Sequence, residues 1–277
     1  MQLDRTRIAI RERTFLDVLD LALRVIWGYW GPLAIASAAG AAPMILLNHW
    51  LLADVVEWHE EYGLDPDFWS SAVAYVMLQG ILIYLEMPVA TAPATLFLGQ
   101  AMFLEKPSGW QIARDLFRSL PQLLLCQVLL RGLFVFLFIT MIIPFAAWPY
   151  LNEIILLERN RLFRRSPSGT TTFRRSSNLH SSSTGDLFGR WLASLTIGLP
   201  LAGALFGSVA AIRAILIGVW RPDLILQIDF PVAAWTVVSF FTVVRFLSYL
   251  DLRIRNEGWE VELTMRAEAA RLARQWT

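Results

Sequence analysis

The chain has 277 residues, of which 56% are hydrophobic and only 17% charged, with a formal net charge of +1. Soluble domains carry roughly 25% charged residues, so this composition, with a mean hydropathy of +0.50, excludes that class and predicts an all-α integral membrane protein. The near-neutral balance gives no basis for a nucleic-acid partner, and a single cysteine, Cys126, excludes a disulfide framework.

Asp4, Arg5, Arg7, Arg11, Glu12 and Arg13 precede the first long apolar run, and no cleavage site follows it. The first span is therefore expected to act as an uncleaved start-transfer signal. Residues 11–26 read as an amphipathic helix with Phe15, Leu16, Val18, Leu19, Leu23 and Ile26 on one face. Thr14 and Asp17 have the spacing of a capping box, and the expected place of this helix is the cytoplasmic membrane surface.

Span one covers about 30–52. Its Ala34, Ala38 and Ala42 recur every fourth residue beside Ser37 and Ala41, a stripe that predicts close helix approach. The next loop holds Asp54, Glu57, Glu60, Glu61, Asp65 and Asp67 with no Lys or Arg. Span two, about 71–98, contains Glu86, Pro88 and Pro93, and a basic connector with Lys106, Arg114 and Arg118 follows. Span three is about 120–143 and holds Arg131. A turn at Pro144 to Pro149 leads into a short fourth span, about 145–158, with Glu153 inside it.

The loop 159–190 carries Arg161, Arg164, Arg165, Arg174 and Arg175 in a Ser-rich setting. Span five runs over about 191–219 and span six over about 230–250, with Arg221, Pro222, Asp223 and Asp229 between them. The tail, 251–277, is again basic, and its part from Val261 to Trp276 is expected to be helical.

Lys and Arg are retained in cytoplasmic loops. The connector 99–119 and the loop 159–190 can both be cytoplasmic only if the chain crosses twice between Leu120 and Glu158. The expected architecture is thus a bundle of six transmembrane helices with amphipathic interfacial helices, forming one domain with both termini cytoplasmic. A re-entrant fourth segment is the alternative, at the expense of one basic loop on the wrong side. Three Asp-Leu pairs, at Asp20, Asp115 and Asp186, each have an Arg three or four residues on (Arg24, Arg118 and Arg190), the spacing of a within-helix ion pair.

Catalytic patterns are lacking. His59-Glu60 begins like a zincin motif, but Gly63 stands where the second His is needed. The three histidines, His49, His59 and His180, lie in different segments, so neither a metal cluster nor a His-based triad is predicted, and no cofactor is expected. Gly203 and Gly207 form a GxxxG pattern, read as helix packing within the chain.

Glu86, Arg131, Glu153 and Arg213 lie within spans, and an unpaired charge there costs about 2.5–3.5 kcal/mol on insertion scales. They predict either structural ion pairs or a polar pathway, with Arg131 expected to pair with Glu86 or Glu153 and Arg245 to snorkel to the inner surface. Arg164, Arg165, Arg174, Arg175, Arg253 and Arg255 are candidate contacts for anionic lipid.

The run Tyr249-Leu250-Asp251-Leu252-Arg253-Ile254-Arg255-Asn256-Glu257-Gly258 resembles the Tyr-Tyr-Asp-Leu-Arg-x-Arg-Lys-Glu-Gly signature of bacterial membrane proteins similar to the membrane domain attached to some glycerophosphodiester phosphodiesterases. Asn256 departs from the usual Lys. An amphipathic lead-in helix, a proline-marked turn before a short fourth span ending at Glu158, and Arg174-Arg175-Ser176 ahead of span five also match. The resemblance implies a six-helix membrane domain. The soluble barrel that performs the hydrolysis is not in these residues, so phosphodiesterase activity is not carried over. The expected role is a non-enzymatic scaffold or accessory protein of the bacterial inner membrane, in contact with lipids and other membrane proteins. The alternative is a transporter or lipid-handling permease.

Overall fold

The computed structural model describes residues 14–55, 66–104, 107–135, 148–158, 171–181, 184–218 and 221–257. Every element among them is helical. In chain order these are α1 (Phe15–Gly28), α2 (Trp30–Leu51), α3 (Pro66–Ala90), α4 (Ala92–Phe103), α5 (Gly109–Leu123), α6 (Leu129–Val135), α7 (Leu151–Glu153), α8 (Thr172–His180), α9 (Thr184–Ile217), α10 (Pro222–Leu224) and α11 (Phe230–Glu257). Five-residue π-helical turns at Leu124–Val128, Ile154–Glu158 and Ile225–Asp229 join α5 to α6, extend α7, and join α10 to α11. Charges predicted before Thr14, the acidic residues 56–65, the second half of span three, Arg161, Arg164, Arg165 and the tail from Gly258 lie outside the described residues.

Among the described residues, four stretches are long and apolar enough to cross a bilayer: Trp30–Leu51, Phe68–Met102, Thr184–Leu216 and Pro222–Asn256. They correspond to predicted spans one, two, five and six. The described part of the fourth span is helical only from Leu151 to Glu158. At 1.5 Å per residue, that is about 12 Å against a hydrocarbon core of about 30 Å. Its residues Tyr150 to Leu156 are all buried, packed between α4, α5 and α8.

Thr14 caps α1 as the spacing predicts: its Oγ1 accepts from the Asp17 N–H at 3.3 Å, and its own N–H donates to Asp17 Oδ2 at 3.1 Å. The helix does more than lie on a membrane surface. Val18 and Ala22 are fully buried and share one core with Val243, Phe246, Leu247 and Leu250 of α11, while Leu16 and Trp27 stay exposed. Two ends of the bundle can be told apart. Leu52, Phe68, Leu226 and Phe230 cluster at one; the charged residues Glu158, Arg175, Asp186, Arg190 and Asp251 gather at the other.

Two packing expectations are corrected. Ala34, Ala38 and Ala42 all face outward; Leu33, Gly40, Ala41 and Asn48 turn inward instead. The close approach is made at Gly40, where a Cβ would collide with the Ala90 carbonyl. The GxxxG pair does not pack within the described chain either, since a Cβ on Gly203 or Gly207 would meet open space. In an apolar 18-residue stretch of the helix that carries it only 6% of residues are buried, against 67% in the corresponding stretch of Phe68–Met102.

Gly40→Leu should therefore wedge α2 off α3 and lower stability by about 1–3 kcal/mol, read as a lower thermal midpoint in detergent. Ala42→Leu and Gly203→Leu, on outward faces, should leave the midpoint unchanged.

Candidate functional site

The site is built from prolines and buried charges. Pro88 sits inside α3 and has no N–H, so the Tyr84 carbonyl one turn earlier loses its helical donor. Arg131, on α6, supplies one: its Nη1 donates to the Tyr84 oxygen at 2.8 Å, and its guanidinium carbon lies 5.2 Å from the Tyr84 ring centroid. Arg131 is buried, with 5% of its surface exposed. A group that is always charged is held at that depth by a carbonyl that proline released and by an aromatic face.

Glu153, fully buried, pairs with Arg245 at 2.5 Å. This corrects the expectation that Arg245 snorkels, and it shows where Glu153's ion pair goes. Arg245 Nη2 also donates to Thr91 Oγ1 at 3.3 Å, as does Asn152 Nδ2 at 3.4 Å. The Thr91 hydroxyl in turn donates to the Met87 carbonyl at 2.7 Å. Thr91 marks the junction of α3 and α4, so the α7 segment, the helix junction and α11 meet at one ion pair.

Glu86 accepts from Asn48 Nδ2 at 2.9 Å, and Arg213 lies 3.5 Å from Asp229. Glu86 and Arg213 thus have partners of their own, whereas Arg131 lies within electrostatic reach of the Glu153–Arg245 pair.

The tail motif forms a rim above Glu153. Arg190 reaches Asp251 at 2.8 Å and Asp186 at 3.1 Å; Arg255 reaches Asp186 at 2.8 Å and Asp251, four residues back, at 3.3 Å. Asp20–Arg24 and Asp186–Arg190 are the within-helix pairs that the Asp-Leu spacing predicts. Beside them, Glu158 takes two bonds from Arg175, at 2.7 and 3.1 Å, and one from the Tyr249 hydroxyl at 2.8 Å. Arg253 stands 3.9 Å from the same carboxylate and over the Tyr249 ring. Asn256 donates to the Leu179 carbonyl at 2.9 Å.

Of the arginines expected to meet lipid, Arg175 and Arg255 are therefore engaged in pairs within the chain, Arg253 sits against the same network, and Arg174 is exposed. Sequence reading missed Arg190 and Asp251 as partners; the repeat of Asp-Leu and the tail motif were their only signals.

His180 closes α8. Its Nδ1 lies 2.7 Å from the Ser176 carbonyl, its Nε2 accepts from the Tyr150 N–H at 3.4 Å, and its ring stacks on Tyr150 with centroids 5.7 Å apart. An imidazole that donates at Nδ1 and accepts at Nε2 is neutral. Burial holds its pKa below the ordinary value, against the opposing pull of the Ser176 carbonyl.

Behind this network, α9 rests on α11 and on the turn 225–229, leaving a cavity of about 560 Å³ between α9, α11 and α3. Apolar residues such as Ile83, Leu199, Val238 and Phe241 line most of it; among the described residues its charged lining is Arg190 and Arg245, with no carboxylate. Comparison with family models, with curated proteins and with solved structures finds no match to this chain.

Two outcomes follow from this geometry. In the wild-type background Arg131→Leu strands the Tyr84 carbonyl and should cost about 1–3 kcal/mol. With Pro88→Ala in place, residue 88 again donates to that carbonyl, and the same substitution should cost clearly less. Equal costs in both backgrounds, from thermal unfolding in detergent, would remove the proline–arginine link.

The second outcome concerns pH. Because His180 is held neutral, the folded state binds its proton later than the unfolded chain does. That stability is fully present above the ordinary value of about 6.5 and is lost as pH falls towards the depressed value. Thermal midpoints of wild type should drop across this window, and His180→Asn should flatten the drop.

Proposed function

We propose that this chain is a six-span, non-enzymatic protein of a bacterial cytoplasmic membrane that serves as a scaffold or accessory subunit. In this reading it is akin to the membrane domain that accompanies some glycerophosphodiester phosphodiesterases. The observation that carries the reading is the closed charge network. Glu153–Arg245 and the Asp186–Arg190–Asp251–Arg255 group join α7, α9 and α11 by side chains that neutralise one another. Buried pairs of this kind fix one arrangement of helices; a proton or ion relay needs groups that change partners.

The outward faces of α2 and α9 are the surfaces such a scaffold offers. Leu46, Trp50, Ile215 and Leu216 are all well exposed there. Asp54, just after α2, and the described turn before α10 lie at the opposite end from the basic network, which supports placing the latter in the cytoplasm. The groove lined by Arg190 and Arg245 favours a second reading, lipid handling.

Photo-crosslinking groups at Leu46 and Ile215 in living cells should give discrete adducts with a second membrane protein. Adducts with lipid alone at both positions would replace the scaffold with the lipid-handling reading. Single cysteines at Asp54, Arg221, Ser108 and Ser177, in a Cys126→Ala background, should label from outside only at the first two. Outside labelling at Ser177 would overturn the six-span topology.

A further inference from the structure

We propose that the groove between α3, α9 and α11 is a binding site for one anionic glycerophospholipid, which enters from the bilayer with a single acyl chain along the groove and its phosphate at Arg190 and Arg245. The inference needs only that the chain is embedded in a membrane; it does not depend on the scaffold reading.

Three observations carry it. The first is shape. From Arg190 to Ala202 the groove follows α9 for twelve residues, about 18 Å at the helical rise, close to the half-thickness of a hydrocarbon core, about 15 Å. Its volume of about 560 Å³ lies within the usual range of small-ligand sites, so it suits one chain and not a whole lipid.

The second is polarity along its length. Leu199 and Ala202 of α9 face Ala234 and Val238 of α11 at the deep end; the guanidiniums come at the other end, where the charged rim of the bundle lies. That order, apolar then cationic, is the order of a lipid in one leaflet.

The third is charge. The carboxylates that pair with the two arginines, Asp186, Asp251 and Glu153, do not line the groove. A ligand in the groove therefore meets a wall that holds two arginines and no carboxylate among its described lining residues. The side chains are 8% and 16% exposed, so little water competes for them. A neutral or zwitterionic headgroup gains less from such a wall than a phosphodiester with net negative charge. Arginine keeps its charge at any physiological pH, so binding should not titrate.

The test uses the full chain, purified in mild detergent and offered phosphatidylglycerol and phosphatidylcholine with identical acyl chains, with retention read by native mass spectrometry. One phosphatidylglycerol should be retained per protein, preferred by about tenfold over phosphatidylcholine. Ala202→Trp fills the deep end and should reduce retention about tenfold; Leu201→Trp, its neighbour outside the groove, should leave retention unchanged. Ser194→Asp, which brings a carboxylate to the lining near Arg190, should abolish the preference while the protein stays folded by circular dichroism. Equal retention of the two lipids by the wild type would overturn the proposal, and so would full retention by a folded Ala202→Trp variant. Should Ala202→Trp not fold, the wild-type preference and Ser194→Asp decide. Lipid retention and protein adducts at Leu46 or Ile215 are separate readouts, so this site and the scaffold can fail independently.

Discussion

A carboxylate with no exposed surface inside an apolar bundle needs a cation against it to offset the cost of its burial. Glu153 meets that requirement through Arg245, and much of the architecture follows from the contact. Arg245 can reach Glu153 only if α11 lies beside the α7 segment. It can also bond Thr91 only if the α3–α4 junction lies there too. One ion pair thus fixes where three separate stretches of chain meet. The short helix that carries Glu153 is buried along its length because both its charge and its apolar residues need covering.

Proline extends the same logic. In lipid, every backbone carbonyl must find a donor within the protein. Pro88 removes one from Tyr84, and an arginine from a helix far along the chain fills the vacancy. Each group answers the other's need: the carbonyl lacks an N–H and the guanidinium has donors to place. Neither residue makes sense alone, and replacing either one exposes the other to the cost of burial.

Much of this was legible in the sequence where the signal is local. The capping box of Thr14 and Asp17 and the Asp186–Arg190 pair are local spacings of three and four residues, and both formed. Four apolar runs announced four membrane-length helices. What could not be read was direction and partner. The stretch Ala36 to Ala42 is small and apolar on every side, so no periodicity says that Gly40 faces inward and Ala38 outward. Arg245 and Glu153 are separated by almost a hundred residues, and with several arginines available the sequence cannot rank them. The fourth span is inferred from the basic loops on either side of it, and its own composition does not decide the matter, because a segment buried in protein is as apolar as one that faces lipid.

The two halves of the charge network differ in what they permit. Around Glu158, Arg175, Tyr249 and Arg253 converge on one carboxylate, tying α8 to α11 and excluding further ligands by occupying its oxygens. Around Arg190 and Arg245 the partner carboxylates are not among the described residues that line the apolar groove, whereas both arginines are. An arginine held in an ion pair loses little further conformational freedom on binding, which is the usual cost of recruiting a long side chain. The same pairing that makes the bundle rigid therefore prepares a fixed cationic surface at its margin. Stability and recognition here draw on one set of ion pairs, with the carboxylates setting the geometry and the arginines presenting the charge.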